Sequence, residues 1–204
     1  VNYKKLLLRS SITLACIIAA STTVRGADYV WIEAESAVDK FEHANEWYDP
    51  VDRQTSLSGN DWWHSFDEPS MDSGYVVCPF GIPSTGKYQL WIRLNLSSTG
   101  YRYAIDEAEL VELPVKQWRD EDREHRETLE HERRVFDETF VSHDGSNRHM
   151  LAWIKCEQLE LARGDHRLHI AVKPGADNKG FAAVDCFVLA AERFDFRPRM
   201  FYKP

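Results

Sequence analysis

Short runs of alternating apolar and polar residues recur along the chain. In the clearest run, residues 87–94, the side chains of Tyr88, Leu90, Ile92 and Leu94 share one face, because successive side chains of a strand point to opposite sides. Similar runs predict strands at residues 29–37, 74–82, 101–106, 110–115, 151–156, 157–162, 166–172 and 182–189. Many short strands separated by turns predict an all-β protein in which two sheets form a sandwich.

One segment, residues 118–141, departs from this pattern. It is dense in Asp, Glu and Arg and contains neither Gly nor Pro. Opposite charges lie four residues apart at Asp122–Arg126 and Glu130–Arg134, a spacing that stabilises a solvated helix. Its apolar residues form a thin stripe of Trp118, Leu129, Phe136 and Phe140. We predict one charged helical insertion across the sandwich; the alternative is a surface that docks a protein partner.

The stretch at residues 38–73 is polar and irregular, and it is long for a loop in a compact domain. It contains two aromatic doublets, Trp47-Tyr48 and Trp62-Trp63. Aromatic planes recognise the apolar C–H face of a pyranose, while hydrogen bonds hold its rim. At least one of these rings is therefore a candidate sugar platform. The alternative is that the loop folds back and buries the doublets as a satellite core.

Acidic residues interrupt two strand-like apolar runs. Glu33 and Glu35 lie two residues apart in the first run, and Asp185 lies in the last. A charged group is costly to bury unless it is paired or bound to a metal, and Ca²⁺ takes several oxygen ligands. These three carboxylates could hold one Ca²⁺ that ties the first strand to the last. The alternatives are solvated carboxylates at a strand edge and a salt bridge to an arginine such as Arg93.

The net charge of the chain and a leader-like N-terminal segment limit the possible partners and the location of the protein. The 204 residues carry a formal charge of −8, which argues against nucleic acid and anionic membranes as partners. Residues 1–26 resemble a signal peptide, with basic residues ahead of an apolar run too short to span a bilayer. Cleavage would leave 21 basic residues against 33 acidic ones, a charge near −12. We expect a secreted, periplasmic or cell-surface protein without stable membrane insertion after cleavage.

The rest of the chain is long enough for one domain with its own core, residues 27–197, followed by a tail at 198–204. Three cysteines remain after the leader, Cys78, Cys156 and Cys186, and an odd number prevents complete pairing. Each lies in or beside an apolar run. Both buried thiols and one Cys156–Cys186 disulfide are consistent with an exported protein.

Several motifs occur along the chain in an order that resembles that of a known family. They are Ile32-Glu33-Ala34-Glu35, Pro83-Ser84-Thr85-Gly86-Lys87-Tyr88-Gln89-Leu90-Trp91-Ile92-Arg93, Tyr103-Ala104-Ile105-Asp106, Trp153, Leu161-Ala162-Arg163-Gly164-Asp165-His166-Arg167-Leu168 and Val184-Asp185-Cys186-Phe187-Val188-Leu189. In this order they resemble the galactose-binding-like β-jelly-roll carbohydrate-binding modules of the family six and family thirty-five type. The resemblance spans about residues 29–190, apart from the loop at 38–73 and the charged insertion.

The resemblance implies a two-sheet jelly roll without catalytic residues and with a structural calcium. Glu33, Glu35 and Asp185 match the side-chain ligands of that calcium. Asn178 falls where the family has a sugar-contacting Asn. The family's aromatic residue shortly before the position of Trp153 is replaced here by His149 and Met150. The platform would then be formed by Trp47, Tyr48, Trp62, Trp63 or Tyr101.

We therefore expect non-catalytic binding of a polysaccharide or other glycan. One alternative is a protein–protein or assembly module that docks through residues 118–141. A second is a small secreted glycoside hydrolase or lyase, for which the sequence offers no Gly-x-Ser-x-Gly, His-Glu-x-x-His or phosphate-loop motif. Glycoside hydrolysis needs two carboxylates that face each other across a cleft, and the sequence singles out no such pair.

Overall fold

The computed structural model describes residues 28–43, 57–67, 73–95, 100–113, 134–141, 148–173 and 180–196. The predicted leader and tail lie outside them. The strands of the described residues are β1 (Tyr29–Glu33), β2 (Asp39–Phe41), β3 (Trp63–Asp67), β4 (Tyr75–Ile82), β5 (Gly86–Asn95), β6 (Gly100–Ile105), β7 (Val111–Glu112), β8 (Arg134–Val141), β9 (Arg148–Leu161), β10 (Gly164–Lys173) and β11 (Gly180–Ala191). Short 3-10 turns occur at Ala34–Ser36 and Ser58–Asn60.

The strands form two antiparallel sheets. In the first sheet the order is β1-β11-β5-β9-β8, and β3 pairs with β11 beyond the end of β1. In the second sheet the order is β2-β4-β10-β6-β7. The first and last strands are neighbours, with Tyr29 opposite Ala190 and Glu33 opposite Cys186. This is the two-sheet jelly-roll sandwich that the sequence predicts.

The core lies between the sheets because alternate residues of each strand are apolar and point inward. On β5 of the first sheet, Leu90, Ile92 and Leu94 are fully buried. On β10 of the second sheet, the fully buried residues are Leu168, Ile170 and Val172. These side chains belong to one continuous apolar cluster. The residues of β10 that alternate with these buried ones therefore point outward and form part of the outer face of the second sheet.

A second apolar cluster covers the outer face of the first sheet. It contains Trp31, Trp91 and Trp153, and the segment after β11 packs on it. The ring of Phe196 lies with its centroid 5.6 Å from that of Trp91 and 5.3 Å from that of Trp153. All four rings are less than one-tenth exposed. These three strand tryptophans are thus part of a buried structural cluster.

The structure corrects the last part of the helix predicted over residues 118–141. Residues 134–141 form strand β8, which pairs with β9 from Arg134 opposite Ile154 to Val141 opposite Arg148. The β-prone residues of this stretch, Val, Phe and Thr, can satisfy their backbone hydrogen bonds on the adjacent long strand, and this outweighs the charge spacing. The remainder of the segment, residues 118–133, lies outside the described residues.

Two predicted strands also merge into one. Residues 151–156 and 157–161 belong to the single strand β9, which runs without a turn past Cys156 and Glu157. The register against β5 shifts between Gln89 and Trp91, which marks a β-bulge that absorbs one extra residue.

Within the described residues no helix is long and apolar enough to cross a bilayer.

Candidate functional site

Three acidic residues from opposite ends of the sequence lie together. Glu33 ends β1, Glu35 lies in the following 3-10 turn, and Asp185 lies at a register shift in β11. The second 3-10 turn joins two of them. The hydroxyl of Ser58 donates to Glu33 Oε1 (2.7 Å), and its backbone N–H donates to Asp185 Oδ1 (2.9 Å). We call Glu33, Glu35 and Asp185, with Ser58, the acid cluster.

An arginine neutralises one of the three carboxylates. Arg93 Nη1 lies 2.5 Å from Asp185 Oδ2, and both side chains are buried from solvent. The salt bridge to Arg93, which the sequence left open as an alternative, is therefore present. Burial raises the pKa of Asp185 to about 7, and the Arg93 charge acts in the opposite direction.

The other two carboxylates are only partly satisfied. Glu33 Oε1 accepts hydrogen bonds from Ser58 and from the indole Nε1 of Trp31 (2.9 Å). The second oxygens, Glu33 Oε2 and Glu35 Oε2, are buried and have no hydrogen-bond partner among the described residues. Burial raises the pKa of both groups, and that of Glu35 rises to about 8 with added repulsion from Glu33 and Asp185.

The donor set of the acid cluster fits a hard cation. Two buried carboxylate oxygens that have no hydrogen-bond partner among the described residues, next to a third carboxylate, form an oxygen-rich site. Ca²⁺ prefers such oxygen ligands. Glu33 and Glu35 offer the unoccupied oxygens, whereas Asp185 is already held by Arg93 and Ser58. Cys186 Sγ also lies within 4.8 Å of ligand atoms of Glu33 and Asp185.

A glycine allows the second 3-10 turn to approach this cluster closely. Gly59 has φ +60°, a left-handed conformation that favours glycine. A Cβ at this position would collide with the carboxylate of Glu35 and would lie 3.3 Å from the carboxyl carbon of Glu33. The space that a side chain would fill is therefore taken by the two glutamates.

Three of the predicted sugar-binding aromatics belong to the interior, which corrects their assignment. Trp62 is 3% exposed, and Trp63 and Tyr101 are each 1% exposed. Trp62 packs in a small cluster with Leu57, and Trp63 joins the main core. The loop thus folds back and buries this doublet, which was the alternative left open by the sequence, because two large apolar rings stabilise the protein more when they are removed from water.

The remaining predicted sugar-binding residues, Trp47, Tyr48 and Asn178, lie outside the described residues.

The three cysteines that follow the leader lie within the described residues. Cys78, Cys156 and Cys186 are buried and not joined by a disulfide, which agrees with the interpretation as buried thiols.

Sequence reasoning missed an exposed aromatic pair. Phe41 on β2 lies opposite Tyr75 on β4, and each is 37% exposed. Their rings are stacked at 6.3 Å and 28°. His43 packs edge-on against Phe41 at 4.9 Å, and the Tyr75 hydroxyl donates to Asp39 Oδ1 (3.2 Å). We call Phe41 and Tyr75 the aromatic pair.

The aromatic pair lies on the outer face of the second sheet, at its β2–β4 edge. Val76, which follows Tyr75, points inward and is fully buried, so Tyr75 points outward. The alternation of residues 74–82 predicts this strand, but a strand pattern does not tell which of its faces is solvated.

No protein-family model and no curated protein matches the sequence. Solved structures do resemble the fold. The GH26-CBM35 β-(1,4)-mannanase of Podospora anserina aligns with TM-score 0.49 and 16% identity over 84% of this chain and 29% of that chain, so the chain spans less than a third of that protein.

Two single modules also resemble it. A family 35 carbohydrate binding module from an environmental isolate gives TM-score 0.48 and 12% identity over 79% of this chain and 93% of that chain. A CBM35 module of Cellvibrio japonicus gives 0.44 and 11% over 80% and 93%. Modules of families 35 and 6, the families that the sequence motifs resemble, both occur among the similar structures.

Proposed function

We propose that this protein binds carbohydrate without catalysing a reaction. The observation that carries the proposal is the aromatic pair: Phe41 and Tyr75 display stacked rings at the surface of a sandwich that buries almost all of its other described aromatic side chains. Adjacent exposed apolar side chains that form a patch mark binding surfaces more often than single exposed side chains do. Solved carbohydrate-binding modules with a similar fold agree with this choice of ligand class.

The chemistry of the aromatic pair suits a sugar ring. A pyranose presents apolar C–H groups on one face, which pack against an aromatic plane, and hydroxyl groups at its rim. Asp39 and His43 flank the pair and can exchange hydrogen bonds with those hydroxyls. A shallow and wet site of this kind buries little ligand area, so we expect modest affinity.

The positions of the acidic residues favour binding over hydrolysis. Glycosidases need two carboxylates that flank a substrate cleft. One set of acids that lies together among the described residues is Glu33, Glu35 and Asp185, with Asp61 near Glu35. Asp185 is buried, and the two glutamates are half-buried beside the second 3-10 turn. They are suited to holding the fold together rather than to reaching a substrate.

The proposal includes a structural Ca²⁺ held by Glu33 and Glu35, beside Asp185, which is paired with Arg93. The two buried oxygens without a partner support it. A bound cation would supply charge neutralisation for groups that are otherwise costly to bury. It would also hold the end of β1 to the following 3-10 turn, beside Asp185 of β11. The leader-like residues 1–26 support export as part of the same proposal.

Retention on polysaccharide affinity gels tests sugar binding. Phe41→Ala and Tyr75→Ala should each weaken retention about fivefold, since one stacking contact contributes on the order of 1 kcal/mol. Leu110→Ala is the matched control, because Leu110 is also exposed, at 43%, but lies away from the aromatic pair on the segment before β7. Equal retention of all three variants, each shown to be folded by its thermal transition, would refute the location of the site.

Calcium binding is tested separately by calorimetry and by thermal unfolding with and without a chelator. Calcium at 100 times its Kd should raise the free energy of unfolding by about 2.7 kcal/mol. The indole of Trp31 donates to Glu33, so tryptophan fluorescence should change during the titration. Glu35→Gln should abolish both effects, whereas Glu160→Gln, an exposed acid on β9, should preserve them.

A further inference from the structure

Strand β2 forms one edge of the second sheet, and within the described residues no strand pairs with its outer side. Just after β2, the N–H of His43 donates to Ser65 Oγ, and its carbonyl accepts from the N–H of Phe66 on β3. Backbone groups of successive residues in a strand point to opposite sides. The odd-numbered residues of this segment therefore direct their backbone groups toward the protein, whereas Lys40 and Glu42 direct theirs to the open edge.

The sequence of this edge is complementary to itself. Residues 39–43 read Asp-Lys-Phe-Glu-His, and we call them the self-complementary edge. When a second copy pairs antiparallel about a two-fold axis through Phe41, Lys40 lies opposite the partner's Glu42, and Asp39 lies opposite the partner's His43. Opposite charges that face each other across neighbouring strands stabilise the pairing, and like charges weaken it.

The backbone selects the same register. Lys40 and the partner's Glu42 both direct N–H and C=O to the open edge, so they can exchange a pair of hydrogen bonds, which the two-fold axis repeats. Phe41 then lies opposite the partner's Phe41 in a non-hydrogen-bonded pair, where side chains are closest. Symmetric registers centred on Lys40 or on Glu42 place like charges opposite each other. The edge therefore specifies one symmetric register.

Exposed apolar side chains lie at this edge. Val38, Phe41 and Tyr75 are 56%, 37% and 37% exposed. The rings of the aromatic pair stand roughly perpendicular to the sheet, whereas a second copy is added in the plane of the sheet. Edge pairing therefore brings Phe41 against the partner's Phe41 and leaves the outer faces of the rings open. The aromatic pairs of the two copies then form one row across the joined sheet.

A lysine on an edge strand usually prevents pairing with another chain, and Lys40 needs an explanation in these terms. Its Nζ lies 3.1 Å from Glu42 Oε2 of the same strand, and both side chains are at least one-third exposed. A second copy offers Lys40 an equivalent carboxylate, so the lysine exchanges one acid for another. Its charge disfavours only those strands that lack an acid at that position.

The opposite edge of the second sheet lacks this match. Leu110 and Val111 at β7 are also exposed, at 43% and 42%. They are flanked by Glu109 and Glu112, and residues 107–113 contain no basic residue. No antiparallel self-pairing of that edge places opposite charges face to face. The two edges have similar apolar exposure, and charge distinguishes β2.

We propose that a second copy of this chain docks on the self-complementary edge, antiparallel and two-fold symmetric, so that the second sheet continues from one copy into the other. Such a contact closes on itself and gives a dimer instead of a filament. The contact is short, so we expect a weak dimer that forms as the protein concentration rises. The proposal does not depend on carbohydrate binding.

Sedimentation of the full-length protein without sugar tests the dimer. Its mass should rise from monomer to dimer with concentration. Lys40→Glu and Glu42→Lys should each weaken dimerisation at least about tenfold, because two symmetry-related ion pairs become like-charge contacts. Arg163→Glu and Glu160→Lys are the matched controls, since both residues are exposed and lie on other elements, the turn before β10 and strand β9. Neither control should change the dimer.

A mixture of the two edge variants gives a sharper result. One variant carries acid at both positions and the other carries base at both, so each repels itself and attracts the other. An equimolar mixture should regain dimerisation, and so should the double variant Lys40→Glu, Glu42→Lys. Loss of the ion pair within one chain does not produce recovery in the mixture, because neither chain regains that pair.

Amide hydrogen exchange tests the unaltered protein and needs no variant. The N–H groups of Lys40 and Glu42 should exchange more slowly at concentrations that give dimer than at low concentration. Exchange at Phe41 should not change, because its N–H already faces the protein.

The outcomes decide the proposal. A protein that stays monomeric up to about 1 mM overturns it, since that concentration populates dimers with a Kd in the millimolar range. Equal effects of edge variants and controls overturn it by placing the contact elsewhere, and particles larger than a dimer do so by indicating head-to-tail pairing. Dimerisation of the mixture, with neither variant dimerising alone, supports the self-complementary edge. Retention on polysaccharide gels is measured separately, so carbohydrate binding stands or fails independently of these results.

Discussion

Arg93 on β5 and Asp185 on β11 form an ion pair of 2.5 Å inside the protein, with 6% and 0% of their side chains exposed. The pair joins two adjacent central strands of the first sheet. It lies beside Glu33, and its acid partner also accepts the backbone N–H of Ser58. One arginine thereby organises β5, β11 and the second 3-10 turn.

Arg93→Met should destabilise the protein by about 3–5 kcal/mol, because it leaves Asp185 buried without its counter-charge. Urea unfolding in the presence of a chelator measures the loss without a contribution from bound metal. The double variant Arg93→Met, Asp185→Leu should recover most of it, since an apolar pair of similar volume removes the uncompensated charge. Surface substitutions usually change the free energy of unfolding by no more than about 0.5 kcal/mol. An effect of Arg93→Met within that range would contradict a stabilising role of the ion pair.

Gly59→Ala should destabilise the protein by about 1–2 kcal/mol, because alanine is strained at φ +60° and its Cβ displaces the Glu35 carboxylate. Displacement of Glu35 should also weaken calcium binding in calorimetry. Gly86→Ala is the control, since its Cβ would meet only Tyr88, at 3.9 Å, in ordinary contact. Equal unfolding free energies for the two variants would show that residue 59 is not constrained.

The contact between His166 and Asp106 should make stability depend on pH. His166 Nδ1 lies 2.8 Å from Asp106 Oδ2, and Nε2 lies 2.8 Å from the carbonyl of Ala162. Both ring nitrogens face acceptors, so the imidazolium fits best. Burial alone would lower the pKa of His166, but these hydrogen bonds, with the charges of Asp106 and Asp165, raise it above 6.5. From β4, the apolar ring of Phe80 stacks on it at 5.5 Å.

The stabilisation by His166 is complete below about pH 6.5 and is lost as pH rises through its raised pKa. The pKa of Asp106 is lowered below 3.8 despite partial burial, so its stabilisation is lost only as pH falls through that lowered value. Asp106 is 47% exposed, so solvent screening limits the gain to about 0.5 kcal/mol. Between pH 6 and 9 the unfolding free energy of the parent should fall by this amount relative to His166→Gln. Parallel profiles for the two proteins would rule this out.

Phe196→Ala should expose the tryptophan cluster on the outer face of the first sheet. The ring covers Trp91 and Trp153, and its loss should cost about 3 kcal/mol, the lower end of the range for a buried Phe. Tryptophan emission should shift to longer wavelength. Phe194→Ala is the comparison, because the ring of Phe194 stacks on Tyr29, at 5.4 Å, instead of on the tryptophans. An equal shift of the emission wavelength in both variants would show that Phe196 does not shield the tryptophans from water.

The sequence predicts most of the sandwich because periodicity directly reports a strand with one buried face. Residues 87–94 and 166–172 lie within the observed β5 and β10. Charge spacing misled the prediction at residues 134–141, because helix-stabilising pairs contribute only tenths of a kcal/mol and pairing with β9 outweighs them. The sequence pattern predicts a boundary at Cys156-Glu157, but the structure forms no turn there and β9 is one strand.

The candidate sites were harder to predict for a different reason. The acids Glu33 and Asp185 stand out because charge is rare in an apolar strand, and the structure brings them together. The doublet Trp62-Trp63 was ambiguous, since a ring beside a loop can be buried or displayed. Phe41 and Tyr75 carry no local signal, because their significance arises from their cross-strand pairing, which only the folded topology creates.

The pairing of β1 with β11 brings the two ends of the domain side by side. The N–H of Ala191 donates to the carbonyl of Asp28 (2.8 Å), and Arg193 lies 3.2 Å from the same aspartate's carboxylate. A short covalent linker could therefore join the ends, and the chain could be reopened at a surface turn such as Ser84–Thr85 to give a circular permutant. By the same geometry, a host protein could carry this domain within a single loop without stretching it.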